Sequence, residues 1–459
     1  MERITSVLDL RTAFLAAVLV LIGATVAATG QQLTLLWALL GAASLLVLWK
    51  NPHLGILVFL SAILFRYPEF LQGHGFLTIN NMLGAVFCVL LFFHIVEHRD
   101  LWALHDVRVQ ILAAISAVFL VSTWLAPDPP QDLAHLDRTR IELWDFFSQF
   151  AFVIFMIHFI RTRNQLNLVF GLFVSAIILS GISAILIEGT DYRASASFGI
   201  DAASNSNRLG FYSLAGIAVL WYLRLEARSR MARLALLGLA GVLLVVVFLT
   251  ASRSALIGAL VLAAILAVEA GVQPRRLIAT MLVVGVSAFL VLKLVPEQNL
   301  ERITAFGSNT ASSEAYRSGE NRLLVARVAL EVYTDSNLVL GVGPGNFRWI
   351  RQLEYDLKRL SLHNGYLWAL LSGGAAALAL YLGLYWTCWR DLRWLERQPP
   401  SPSGPPLWMK RSTRTILVLF LVFSLFAEVW LDIISFLIIA LTIVMLRMEP
   451  ANAGYSAQP

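Results

Sequence analysis

Charge is scarce in this chain. Of its 459 residues only 14% are Asp, Glu, Lys or Arg and 58% are apolar, whereas a soluble globular domain has about 25% charged and 45–50% apolar residues. The shortfall excludes a soluble enzyme and a disordered chain. Cysteine is nearly missing too: Cys88 and Cys388 stand far apart in apolar stretches, which excludes a secreted disulfide scaffold and a cysteine-built metal site. Also absent are an Asp-x-Asp pair, a Walker loop, a GxSxG elbow and an HExxH helix. Metal-assisted phosphate chemistry and serine hydrolysis therefore lack their usual residues.

What the chain has is long apolar runs. They fall at residues 12–29, 32–49, 53–66, 77–97, 108–126, 146–161, 166–187, 209–224, 232–250, 254–270, 276–295, 364–388, 413–429 and 431–447. A bilayer core about 30 Å thick takes about 20 residues of helix. The runs at 53, 146 and 431 are short for that, so the expectation is an all-α polytopic membrane protein with about 12–14 transmembrane helices. The first run, with Arg3 and Arg11 ahead of it and Ala27 and Ala28 behind, has the form of a secretory signal. The next run follows at once, and the first reads as a retained helix.

Lys and Arg in short loops set the orientation. Arg161 with Arg163, the group Arg224 to Arg233, Arg275 with Arg276, and the group from Arg390 through Lys410 to Arg414 mark connections separated by even numbers of crossings. They place one side, and both termini, in the cytoplasm. The opposite side receives the acidic loop 127–145, the loop 188–208 and a long segment from 296 to 363. The chain divides accordingly into N-terminal helices (1–200), helices carrying external arginines (201–295), a large external loop (296–363), C-terminal helices (364–447) and a cytoplasmic tail (448–459). The stretch QPPSPSGPP, residues 398–406, reads as a flexible linker. The long loop differs: Leu323, Leu324, Val328 and Ala329 recur at helical spacing from about Asn321 to Tyr333, and GVGPGNF (341–347) reads as a tight turn, so an ordered external cap is expected.

A few residues in this arrangement invite chemistry. TASRSALIG puts Arg253 between two apolar helices with almost no loop, and a charge placed there either snorkels to the interface or is received by an anion or a cavity. Thr250, Ser252 and Ser254 flank it. Arg208, in SNSNRLG, begins a helix with Asn205 or Ser206 as its cap; it is either a plain interfacial arginine or part of an anion site at the helix's positive end. His363 precedes the helix of HNGYLWALLSGG, where an imidazole can take a proton near neutral pH. His53, His74, His94, His98, His105, His135 and His158 read as polar boundary residues, and Glu188, Glu269, Glu428 and Asp432 as solvated acids at helix ends.

The pieces SNSNRLG, TASRSALIG, SGENRLLVARVALEVYTDSNLVLGVGPGNF and HNGYLWALLSGG, in this order and spacing, resemble the O-antigen ligase and polymerase superfamily of bacterial membrane glycosyltransferases over roughly residues 200–390. The family's pattern of external His, polar residue, nine residues and Gly-x-x-Gly is met by His363, Asn364 and Gly374, with Ala377 in place of the second glycine. The resemblance implies a GT-C-like membrane fold with one large ordered periplasmic loop. It also implies inverting transfer of a glycan from undecaprenyl diphosphate to an acceptor hydroxyl on the periplasmic side of the inner membrane, without a cofactor or a metal. His363 would be the base, Arg208, Arg253 and Arg322 would hold the diphosphate, and Asn207 and Asn364 would support them. The acceptor is lipid A-core for a ligase and a second lipid-linked glycan for a polymerase. A lipid-linked glycan transporter is the alternative from another class. Nucleic acid is not an expected partner, because the basic residues form short clusters instead of one stripe.

Overall fold

The computed structural model describes residues 51–64, 79–98, 101–186, 205–269, 271, 314–355 and 362–449. The expected helices at 12–29, 32–49 and 276–295, most of the loop 188–208 and the tail from 450 lie outside the described residues. So does Glu188.

The described chain is helical. Its helices of nine residues or more are α1 (Pro52–Leu64), α2 (Ile79–His98), α3 (Val107–Leu125), α4 (Thr139–Phe159), α5 (Arg163–Leu186), α6 (Ser206–Glu226), α7 (Arg230–Leu249), α8 (Arg253–Glu269), α9 (Glu314–Asp335), α10 (Phe347–Tyr355), α11 (Gly365–Arg397), α12 (Leu407–Phe423) and α13 (Ile433–Met448). Among the described residues, five segments are long and apolar enough to cross a membrane: Val107–Leu125, Ala134–Phe159, Arg163–Leu186, Arg230–Leu249 and Gly365–Arg397. These make the protein an all-α polytopic membrane protein. α8, α12 and α13 have 17, 17 and 16 residues, or about 25 Å of helix at 1.5 Å per residue.

Two boundaries depart from the sequence expectation. The apolar run at 146 is no short segment, because helix α4 starts at Thr139, whose N–H donates to Asp137 at 2.8 Å, and carries Glu142 in its first turn. Acids favour a helix N-terminus, so charges that read as loop belong to the helix. α12 starts at Leu407, with the Trp408 N–H donating to Glu226 at 3.0 Å, which brings Lys410 and Arg414 inside the bundle. Lys410 Nζ pairs with Glu449 at 2.9 Å, and Arg414 pairs with Glu396 at 2.9 Å and with Glu269. Glu269 also accepts the Tyr222 hydroxyl at 2.7 Å. It is therefore a half-buried network partner, not a solvated acid, because burying Arg414 requires a counter-charge.

α6 sits at the centre, packed by α5, α7, α8 and α12. Its small residues set the close approaches: a Cβ on Gly210 would lie 2.5 Å from the Ala255 Cβ, and one on Gly216 would lie 2.7 Å from Leu243. Small residues bring helix backbones together in this way inside a membrane, where packing rather than water exclusion drives association. Beside α6, Phe211 stacks on Phe423 at 4.9 Å. Trp368, Trp430 and Tyr381 form a buried aromatic floor, with centroids 5.2 Å and 4.0 Å apart in that order.

The long segment after α8 forms α9 and α10, and the loop between them enters the bundle. α11 breaks at Gly373–Gly374. An intact helix would join the Ala375 N–H to the Leu371 carbonyl. Instead Ala375 N–H donates to Leu338 O at 2.9 Å, Ala376 N–H to Val339 O at 3.2 Å, and Leu371 O accepts the Val342 N–H at 2.8 Å. The loop before α10 thus satisfies the polar backbone that the break exposes, the condition for a broken helix at membrane depth.

Candidate active site

His363 lies in the short stretch leading into α11, with φ at +50°. Its neighbours hold the backbone there. Asn364 caps α11 by accepting the Leu367 N–H at 3.0 Å, and its amide donates to Leu425 O at 3.2 Å. The Gly365 N–H donates to Ser424 O at 2.7 Å. Asparagine is among the best N-caps, and here the same side chain also ties the helix start to the connection between α12 and α13.

That connection, residues 424–432, reaches Arg208 as well. Asn205 is the residue that caps α6, accepting the Asn207 N–H at 2.9 Å. One residue on, Arg208 donates to Glu428 O at 3.2 Å and lies 3.6 Å from the Asp432 carboxylate. Asp432 is 1% exposed at its side chain, accepts the Tyr212 hydroxyl and caps α13 at the Ile434 N–H. It is a buried keystone where a solvated helix-end acid was expected. The reason is that its partners on α6 are some two hundred residues away in sequence.

Arg253 opens α8, after a turn in which Ala251 has φ at +46°. The hydroxyls around it are spent on the turn: Thr250 Oγ1 donates to Val247 O at 2.7 Å, and Ser252 Oγ lies 2.9 Å from Ser254 Oγ. The Gly210–Ala255 contact falls two residues beyond Arg208 and two beyond Arg253, so both arginines begin helices that touch at their starts. Arg322 stands on α9, just ahead of its buried face of Val325, Val328, Ala329 and Val332. The structure therefore gathers Arg208, His363 and Asn364 around residues 424–432 and sets Arg253 on the adjoining helix start.

Beside this lies a pocket the sequence did not announce, lined among others by Glu142, Arg348, Arg351, Leu362, Trp368 and Glu428. Leu362 immediately precedes His363. The Trp368 indole N–H donates to Glu142 at 3.0 Å. Withdrawal from water raises the Glu428 carboxyl above its ordinary range, against the pull of Arg348, Arg208, Arg351 and Arg138. The only local signal was the pair Arg348 and Arg351, one helical turn apart after GVGPGNF.

Residues 238–382 match the O-antigen ligase family model. The matched span holds Arg253, Arg322, His363, Asn364, Arg348 and Arg351; Arg208, Glu142, Glu428 and Asp432 lie outside it. No curated protein matches the chain. Among the described residues, no three of His, Cys, Asp and Glu are grouped to hold a metal ion.

The keystone can be tested directly. Asp432→Ala strands the buried Tyr212 hydroxyl and the end of α13, and is expected to lower stability by about 1–3 kcal/mol. Asp432→Asn retains an acceptor for both and is expected to lose less. Thermal unfolding of the detergent-solubilised variants measures the difference, and equal midpoints would remove Asp432 from this role.

Proposed function

We propose that the protein is an inverting, metal-independent glycosyltransferase of the inner membrane that moves a glycan from undecaprenyl diphosphate to an acceptor hydroxyl at the periplasmic face, and that it acts as an O-antigen ligase on lipid A-core. The observation that carries this reading is the O-antigen ligase match over residues 238–382; it is supported by Asn364, next to His363, and Arg208 both bonding to the 424–432 connection.

The chemistry follows from the residue types. The acceptor oxygen attacks the anomeric carbon as its proton passes to the His363 imidazole, and the bond from that carbon to the phosphate oxygen breaks with the electron pair leaving on the diphosphate. Negative charge grows on the leaving group, so fixed guanidinium groups there favour the transition state. Arg208 and Arg253 take that role, with Arg322 in donor binding and Asn207 and Asn364 supporting the two helix starts. Guanidinium stays ionised and binds phosphate oxygens through two parallel hydrogen bonds. Arg253→Lys, which keeps the charge but loses the fork, is expected to cut transfer by about tenfold or more. Near wild-type turnover in a purified-component assay would return Arg253 to an interfacial role.

The deciding experiment is a gel of surface lipopolysaccharide from a strain lacking the protein. Loss of every band above lipid A-core, restored by the wild-type gene, supports the ligase. A single-repeat band in place of a ladder would mean a polymerase, and an unchanged ladder would overturn both.

A further inference from the structure

At the far end of α4 from the candidate active site lies a cavity of about 350 Å³, a volume in the range of about 300–1,000 Å³ that ligand sites occupy. His158, in its wall, stands about 24 Å further along α4 than Glu142 at 1.5 Å per residue. The start of α1, the last turns of α2, the end of α4 and the start of α5 meet there, through Pro52, Glu97, Phe159 and Gln165.

Arg161, between α4 and α5, brings a fixed positive charge to the cavity. It is exposed, so an anion can reach it, and its direction is set by two bonds: Nε donates to His158 O at 2.8 Å, and a terminal nitrogen lies 2.8 Å from His94 Nε2. A guanidinium only donates, so the His94 ring nitrogen is the acceptor and that imidazole is neutral. The two bonds fix the plane of a fork whose geometry matches phosphate oxygens.

Polarity changes along the cavity. Leu90, Phe93, His94 and Glu97 of α2 line it, and positions i, i+3, i+4 and i+7 share one helix face. Over about 10 Å of helix the wall therefore passes from apolar side chains, through the level of His94 and Arg161, to a carboxylate at the helix end. Beside it Leu54, Phe92 and Val96 are exposed, an apolar surface suited to acyl chains. A soluble phosphate would leave the apolar end unused and meet the Glu97 carboxylate as a like charge. A phospholipid matches each level, because a carboxylate accepts hydrogen bonds from the hydroxyl or ammonium that ends a headgroup.

We propose that this cavity binds the headgroup of a membrane phospholipid, with its phosphate on Arg161, its terminal hydroxyl or ammonium at Glu97 and its acyl chains leaving past Leu90 and Phe93. Basic pockets between transmembrane helices hold lipid headgroups by the same chemistry.

The site is independent of the transfer reading, and its test needs no turnover. Detergent-purified full-length protein is titrated with short-chain phosphatidylglycerol, with short-chain phosphatidylcholine, whose headgroup ends in no hydrogen-bond donor, and with glycerol 3-phosphate, and bound molecules are counted by native mass spectrometry. Phosphatidylglycerol is expected to bind most tightly. Arg161→Gln is expected to weaken it by about tenfold or more, and Arg163→Gln, at a neighbouring arginine outside the cavity wall, to leave it unchanged. Should Arg161→Gln not fold, Glu97→Ala, at an exposed position, carries the test: it is expected to abolish the preference for phosphatidylglycerol over phosphatidylcholine. Wild-type binding of phosphatidylglycerol by folded Arg161→Gln, or equal binding of the two lipids by the wild-type protein, would overturn the proposal. Displacement of the lipid by glycerol 3-phosphate at equal concentration would overturn it too, by making the cavity a site for soluble phosphates.

Discussion

His363→Asn is expected to lower transfer by about 10²–10⁴-fold, the usual contribution of a positioned general base, with the protein still folded and inserted. Asparagine is the informative replacement because His363 holds φ at +50°, a region that Asn tolerates better than most residues. Alanine removes the base but adds backbone strain, so loss of activity in His363→Ala alone would not separate chemistry from geometry. The Asn364 and Gly365 anchors to Leu425 and Ser424 involve no atom of the His363 side chain and should survive the change. An unchanged midpoint of unfolding with lost transfer supports the base. Transfer at wild-type rate in His363→Asn would remove His363 from catalysis and leave the arginines without a proton acceptor beside them.

Gly374→Ala is expected to be the most damaging single-carbon change in the described chain. Gly374 has φ at +65°, and a Cβ there would lie 2.1 Å from Val339 O and 2.4 Å from Leu340 N. Those atoms are backbone and cannot swing aside. Making room pulls the loop out of the helix break and loses the bonds from Ala375, Ala376 and Val342, at about 0.5–1.5 kcal/mol each. With ψ at −163° this backbone is in a region essentially reserved for glycine, which adds about 1–3 kcal/mol for a residue with a Cβ. The sum, about 2.5–7.5 kcal/mol, predicts early unfolding and rapid trypsin cleavage around α10. On the same helix, a Cβ added at Gly383 would meet nothing within 4 Å, so Gly383→Ala serves as the control. Equal stability of the two variants would mean that the loop is not inserted.

The class of the protein was written in its composition. Apolar runs of membrane length and a charge content of 14% admit few other solutions, and the helical part of the long loop segment followed from the spacing of Leu324, Val328 and Ala329. His363 and Asn364 drew notice because they adjoin a helix start, which Asn364 caps, and caps are local chemistry. Arg208 and Arg253 stood out for the same reason, as charges at the beginnings of apolar helices.

The acids were misjudged because their meaning is not local. Asp432 and Glu428 look like any helix-end carboxylates until α6 is laid beside the 424–432 connection, where Tyr212 and Arg208 meet them across 220 residues of sequence. Glu269 changed role likewise once α12 brought Arg414 against it.

Hydropathy and capping are properties of neighbours along the chain, so the sequence alone sufficed to establish an all-helical membrane protein with arginines and a histidine at helix starts. Which charges are paired and which helix is broken to admit a loop depend on residues far apart in sequence. Those were settled by packing, because a desolvated charge acquires its energy from whatever the fold places within a few ångströms of it.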